Sequence, residues 1–118
     1  MVEKAFVQKE GKQVARVTFV VPNSTWADAV HLVGDFNQWS RTSHPFRRDR
    51  EGHWRLTADL DVGRAYQFRY LRDGEVWMND NQADAYVANP YGSDNSVVIT
   101  DPAFVPHYDK EDRVHQPM

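Results

Sequence analysis

The feature that most constrains this chain is a period of two. From Val14 to Val21 apolar and polar residues alternate, with Ala15, Val17, Phe19 and Val21 on one face and Arg16 and Thr18 on the other. Successive side chains of a strand point to opposite sides, so this spacing builds a half-buried strand rather than a helix. The same period returns in Val30 and Leu32, in Trp54-Leu56-Ala58-Leu60, and in Tyr66-Phe68-Tyr70; an apolar run, Ser96 to Thr100, closes the series. Between the runs stand turn signals: Val21-Pro22-Asn23-Ser24, Gly34-Asp35, Arg50-Glu51-Gly52, Asp61-Val62-Gly63, Asp73-Gly74 and Asn89-Pro90-Tyr91-Gly92. Asp28 to Leu32 has some helical character, but Gly34 follows too soon. Short strands punctuated in this way predict an all-β antiparallel sandwich or barrel.

With 118 residues the chain is expected to form one domain, large enough to bury roughly two-thirds of its unfolded surface. The strand pattern stops near Asp101, so residues 1–100 are expected to form the domain and 101–118 a partly ordered tail. Phe104, Val105 and Tyr108 are the tail residues able to dock back. Fourteen Lys and Arg against 17 Asp and Glu give a net charge of -3, unlike the basic stripe of a phosphate-dominated nucleic-acid binder. The absence of cysteine removes disulfides, thiolate metal sites and Cys nucleophiles and is compatible with a reducing compartment. Met1-Val2-Glu3-Lys4-Ala5-Phe6 is too mixed for a signal peptide, and no apolar run reaches membrane-spanning length. A cytoplasmic protein is expected, without membrane or nucleic-acid partners.

Four tryptophans need separate judgement, because the indole is usually core. Trp54 shares a face with Leu56 and Leu60 and reads as core. Trp26, beside Ala27 after a turn, reads as packing at a sandwich end. Trp39 follows Gly34-Asp35-Phe36-Asn37 in a loop, where it suits either exposure or plugging of an end; Phe36 is assigned to the core. Trp77 depends on the hairpin turn. A two-residue turn at Asp73-Gly74 sets it opposite Tyr70, facing the core. A three-residue loop, Arg72 to Gly74, sets it opposite Arg69 on the outer face, and this second arrangement is preferred.

Leu32-Val33-Gly34-Asp35-Phe36-Asn37-Gln38-Trp39-Ser40 resembles the signature of the glycogen-binding, isoamylase N-terminal family, carbohydrate-binding module family 48. Gly52-His53-Trp54, Tyr66-Gln67-Phe68-Arg69-Tyr70, Asp73-Gly74-Glu75-Val76-Trp77 and Asn89-Pro90-Tyr91-Gly92-Ser93-Asp94-Asn95-Ser96-Val97-Val98 follow in that family's order. Together they cover roughly Val14 to Thr100. The resemblance implies an early-set, immunoglobulin-like antiparallel β-sandwich, of the kind fused to branching and debranching enzymes and found in the beta subunit of AMP-activated protein kinase. It also implies a carbohydrate site at Trp39, Arg69, Trp77 and Asn95, with Tyr91 and Ser93 nearby. Arg69 stands where the kinase-associated modules carry Lys, and Tyr91 where they carry an aliphatic residue.

Those residue types suit a glucan. The polymer is uncharged, with hydroxyl rims and weakly apolar C–H faces, and buried hydroxyls cost free energy unless hydrogen-bonded. Flat aromatic rings against the C–H faces, with a cationic donor and an amide at the edge, meet both needs. The expected function is therefore α-glucan binding without catalysis, cofactor or metal, with a glycogen-metabolising enzyme as the candidate protein partner. Two other readings compete. The five histidines (His31, His44, His53, His107, His115) and the carboxylates show no metal, nucleophile or acid–base spacing. Asn79 to Asp84 lacks the glycine and closing Glu of a calcium loop, and glycosidase chemistry needs two carboxyls across a cleft. A docking module that has kept protein contacts and lost the sugar is the remaining alternative.

Overall fold

A computed structural model describes residues 1–104 of the chain. Nine strands follow in order: β1 Val2–Lys9, β2 Lys12–Val21, β3 Val30–Gly34, β4 Arg47–Arg48, β5 Trp54–Asp61, β6 Ala65–Arg72, β7 Val76–Met78, β8 Ala85–Ala88 and β9 Asp94–Ile99. The helical content among them is a single 3₁₀ turn, Asp35–Asn37. The strands form two antiparallel sheets, β1-β2-β5-β4 and β3-β6-β9-β8, with β7 added to β6. This is the expected all-β sandwich.

The inward faces carry the alternation read from the sequence. Ala15, Val17, Phe19 and Val21 of β2 face Leu32, Phe68, Tyr70 and Val98 of the second sheet, all of them buried. Phe19 and Phe68 meet edge to face with ring centroids 5.1 Å apart, the arrangement the ring quadrupoles favour. Trp54 is 5 % exposed and lies beneath the Arg48 guanidinium, 4.4 Å from its ring. Leu56, expected to be buried, is half-buried at the edge of the core, as is Phe36. The Tyr70 hydroxyl donates to the fully buried Asp80 carboxylate at 2.6 Å, which gives this acid, the one buried among the described residues, an acceptor role. Burial and this neighbouring carboxylate push the Tyr70 phenol well above its ordinary value.

Three strands had no counterpart in the alternation pattern. β1 and β8 are edges, and β4 is two residues long. In β1 Val2 and Phe6 pack on the core while Lys4 stands between them, a charge on the edge strand that keeps it from pairing with another chain. Phe104 does return to the domain, its ring 5.1 Å from the Lys4 ammonium. Val105, Tyr108 and the remainder of the expected tail lie outside the described residues.

Trp26 reverses its expected place. It is 89 % exposed. The loop that crosses from β2 to β3 turns Ala27 inward against the core, and the neighbouring residue is directed outward as a consequence.

Candidate functional site

The outer face of the second sheet carries a groove of about 450 Å³ lined by Trp39, Arg41, Arg69, Trp77, Asn89, Pro90, Tyr91 and Asn95. Five of the six residues singled out from the sequence therefore line one hollow. The sixth, Ser93, touches it through its Oγ, which lies 3.4 Å from an Arg69 guanidinium nitrogen.

Arg69 is central because of strand pairing. β9 pairs with the first half of β6, Ala65 to Phe68, and β7 with its second half, Tyr70 to Arg72. Arg69 thus occupies the junction where the two neighbours meet, with Trp77 on one side and Asn95 on the other. Its guanidinium carbon is 5.8 Å from the centre of the Trp77 ring, and that of Arg41 is 5.3 Å from it. Two guanidiniums in cation–π range hold the half-buried indole in place. In the sequence Arg41 is one more charge in a polar loop, and nothing there marks it as a neighbour of Trp77.

Trp77 reaches this face by a register neither hairpin reading contained. Asp73 and Gly74 both take left-handed backbone (φ 52° and 72°), as an Asp-Gly turn of the primed type requires, and Glu75 N–H bonds Arg72 C=O at 3.1 Å. Yet Arg72 is paired with Val76, and Trp77 with Leu71. Glu75 is therefore an extra residue, a bulge that slips the strand by one and moves every following side chain to the opposite face. The expected outer face is correct; the expected partner, Arg69, is replaced by Leu71 one pleat away on the same side. The turn is fixed from below, because Asp73 Oδ1 accepts the backbone N–H groups of Asp28 and Ala29 at 2.8 and 3.0 Å. Those bonds hold the Asp73 carboxyl below its usual range.

Trp39 is placed by the Gly34–Asn37 loop. A Cβ on Gly34 would lie 2.6 Å from the Gln67 carbonyl oxygen and 2.9 Å from both Phe36 and Phe68, so only glycine allows β3 and β6 this close. Asn37, 7 % exposed, is the loop's internal brace. Its Oδ1 accepts Gly34 N–H at 3.1 Å, and its Nδ2 donates to Leu32 C=O at 3.0 Å and to Ser43 Oγ at 3.2 Å. Gln38 and Trp39 then adopt left-handed backbone, φ 53° and 57°. For a residue as bulky as Trp this conformation costs of order 1–3 kcal/mol and persists where surrounding contacts impose it. Those contacts are present: Trp39 N–H bonds Gly34 C=O at 2.9 Å, and its indole Nε1–H bonds Asp35 Oδ1 at 3.0 Å. The other Asp35 oxygen accepts Gln67 N–H at 2.8 Å, tying the loop to β6. The indole is half-buried rather than fully exposed, with its polar edge spent inside the protein.

The rim differs in character. Tyr91 is 91 % exposed, and its loop is stapled by Asn89, whose Oδ1 accepts the N–H groups of Tyr91 and Ser93 at 2.9 and 3.2 Å. Asn95 is buried, donating to Gln67 Oε1 at 3.0 Å and accepting from Asn89 Nδ2 at 3.2 Å. Each amide group forms one of these bonds, leaving one hydrogen and one lone pair uncommitted. Among the described residues no cluster of His, Asp or Glu has the geometry of a metal site, and no helix is long and apolar enough to cross a membrane.

The described residues thus form a small two-sheet β-sandwich module with an aromatic, arginine-lined hollow on one outer face, apart from the core. Residues 7–102 match the family model described as carbohydrate-binding module 48 (isoamylase N-terminal domain), and the chain belongs to that family. It is similar to a 1,4-alpha-glucan branching enzyme GlgB of Photobacterium profundum, 34 % identical over 97 residues that make up 78 % of this chain and 13 % of the enzyme. It is also similar to a GlgB of Rhodopseudomonas palustris, 36 % identical over 98 residues, again 13 % of that enzyme. A 30-residue stretch is 60 % identical to the 1,4-alpha-glucan-branching enzyme of Dictyostelium discoideum, 25 % of this chain and 4 % of the enzyme. The chain thus spans a small part of the length of these relatives.

Proposed function

We propose that this domain is a non-catalytic α-glucan-binding module whose ligand surface is the Trp39–Trp77 groove. The observation that carries the reading is the convergence of two indoles, two arginines and an exposed tyrosine on one hollow, in a chain of the carbohydrate-binding module 48 family. Trp39 and Trp77 offer apolar ring surface to sugar C–H faces. Arg41 and Arg69 keep N–H donors for hydroxyls, and Asn95 supplies the uncommitted edge of its amide. Tyr91 closes the rim over a chain lying in the groove. The relatives are named as glucan branching enzymes, so glycogen and similar α-1,4-linked chains are the ligand class, and an enzyme of glucan metabolism is the partner class.

A neutral ligand releases few counterions, so salt should leave affinity nearly unchanged. Calorimetric titration of the domain with maltoheptaose at about 20 mM and about 500 mM salt, a span over which the screening length falls severalfold, tests this. Weak binding with similar dissociation constants is expected. A steep loss with salt would mean an anionic ligand, and no binding at either salt would leave a docking role to explain the groove.

A further inference from the structure

The strongest feature outside that groove is Trp26. An indole 89 % exposed ordinarily belongs to a mobile loop or to a contact surface, and this loop is braced at four points. Thr25 N–H bonds Pro22 C=O at 3.0 Å. Asn23 N–H meets His53 Nδ1 at 3.0 Å, and its Nδ2 donates to Glu51 C=O at 3.0 Å. Arg48 donates to Ala27 C=O at 2.9 Å. Asp73 clasps the N–H groups of Asp28 and Ala29 at 2.8 and 3.0 Å. The ring is therefore presented on a fixed support, which reduces the ordering cost of a contact.

Beside it lies a second hollow, about 510 Å³, lined by Asn23, Thr25, Trp26, Asp28, Arg48 and Asp73. Its polar groups retain unused capacity. Among the described residues no side-chain hydrogen bond engages the Asp28 carboxylate; Asp73 bonds through Oδ1 alone, and the Asn23 amide oxygen accepts nothing. Two carboxylates against one guanidinium give the lining itself a negative balance, which disfavours a phosphate or an acidic peptide. A protein face laid on the ring would have to set a cation or a donor against each of the two carboxylates as it desolvates them. Sugar hydroxyls are donors, and their C–H faces suit the ring. We propose that Trp26 and this hollow form a second glucan contact, with Asp28 and the free Asp73 oxygen accepting sugar hydroxyls.

The two surfaces are joined through the β6–β7 hairpin. β6 ends at Arg72, three residues and about 10 Å of extended strand beyond Arg69, and the turn that follows orients Trp77 and also supplies Asp73 to the Trp26 hollow. A long glucan can contact both, so polymer binding gains from effective concentration even where each contact is weak.

This inference rests on the glucan-binding reading, and the test separates the two. The four indole N–H signals of the 118-residue chain are assigned by ¹H–¹⁵N NMR with Trp26→Ala, Trp39→Ala and Trp77→Ala variants, the fourth by elimination, then followed during maltoheptaose titration. The expected result is saturable movement of the Trp26 signal, retained in Trp39→Ala, together with several-fold weaker retention of Trp26→Ala on a glycogen column. Trp26→Ala should melt as the parent does. If the Trp39 and Trp77 signals move and Trp26 stays still, the second contact is refuted and the first stands. If none moves, the glucan reading itself fails. A Trp26 signal that instead shifts with protein concentration, without sugar, makes this surface a self-association contact and overturns the proposal.

Discussion

Removing the Asp35 carboxylate should loosen the proposed glucan site without dismantling the domain. Its two oxygens accept Trp39 Nε1–H at 3.0 Å and Gln67 N–H at 2.8 Å, and Asp35 itself is exposed. Each bond contributes on the order of 1 kcal/mol net, so Asp35→Ala is expected to cost about 1.5–2 kcal/mol of stability. In a domain of this size that lowers Tm by roughly 6–10 °C. The effect on binding follows from the ring. Freed at Nε1, Trp39 must be re-ordered on sugar, at about 0.5–1.5 kcal/mol for an immobilised side chain, or roughly 2- to 12-fold in affinity. Asp35→Asn should fall between, because its single oxygen can serve one N–H while its NH₂ group opposes the other. Paired melts and maltoheptaose titrations measure both quantities, and the Trp39 indole N–H resonance reports the lost bond directly. An Asp35→Ala protein that is destabilised as expected yet binds with parental affinity would refute the positioning role.

Two further outcomes follow from the fold. Gly34→Ala should be strongly destabilising although φ is extended there, because the new Cβ meets the Gln67 carbonyl at 2.6 Å and β3 must move off β6; a parental Tm in thermal melts would contradict that contact. At the surface, the Arg16 hydrogen bond, with help from Lys9, lowers the Asp59 carboxyl to about 2. A depressed folded-state value stabilises above the unfolded carboxyl range, near 3.9, and the gain disappears as pH falls through about 2. The stability difference between the parent and Asp59→Asn should therefore shrink between pH 4 and pH 2, and a difference constant over that window would count against the ion pair.

Much of this was legible because alternation and burial are the same fact in a half-buried sheet. Ala15, Val17, Phe19 and Val21 had one possible destination once Arg16 and Thr18 claimed solvent. Trp39, Arg69 and Trp77 line one hollow on the outer face of the second sheet, Trp77 on the face that the preferred hairpin reading expects. What escaped the sequence has specific physical causes. The Glu75 bulge adds one residue after a turn whose Asp-Gly composition is ordinary, and nothing in the residues announces it. The exposure of Trp26 is not legible because the orientation of a loop residue depends on which neighbour the crossing turns inward, here Ala27. Arg41 and Asp35 act through contacts made after folding, with a ring 36 positions away and a backbone amide 32 positions away. Edge strands β1 and β8 carry charges and exposed apolar residues that blur the period of two.

The central claim is that Trp39 is part of a ligand platform and not of the core, and one measurement bears on it most directly: calorimetric titration of Trp39→Ala with maltoheptaose, read beside its melt and that of Trp54→Ala. Truncation of an aromatic anchor at a binding site commonly costs about 2 kcal/mol or more, some 30-fold in affinity. Truncation of the buried Trp54 typically costs about 3–5 kcal/mol of stability. The account predicts that Trp39→Ala loses at least about 30-fold in affinity while melting close to the parent and well above Trp54→Ala. A Trp39→Ala protein that keeps parental affinity, or that melts as low as Trp54→Ala, would contradict it.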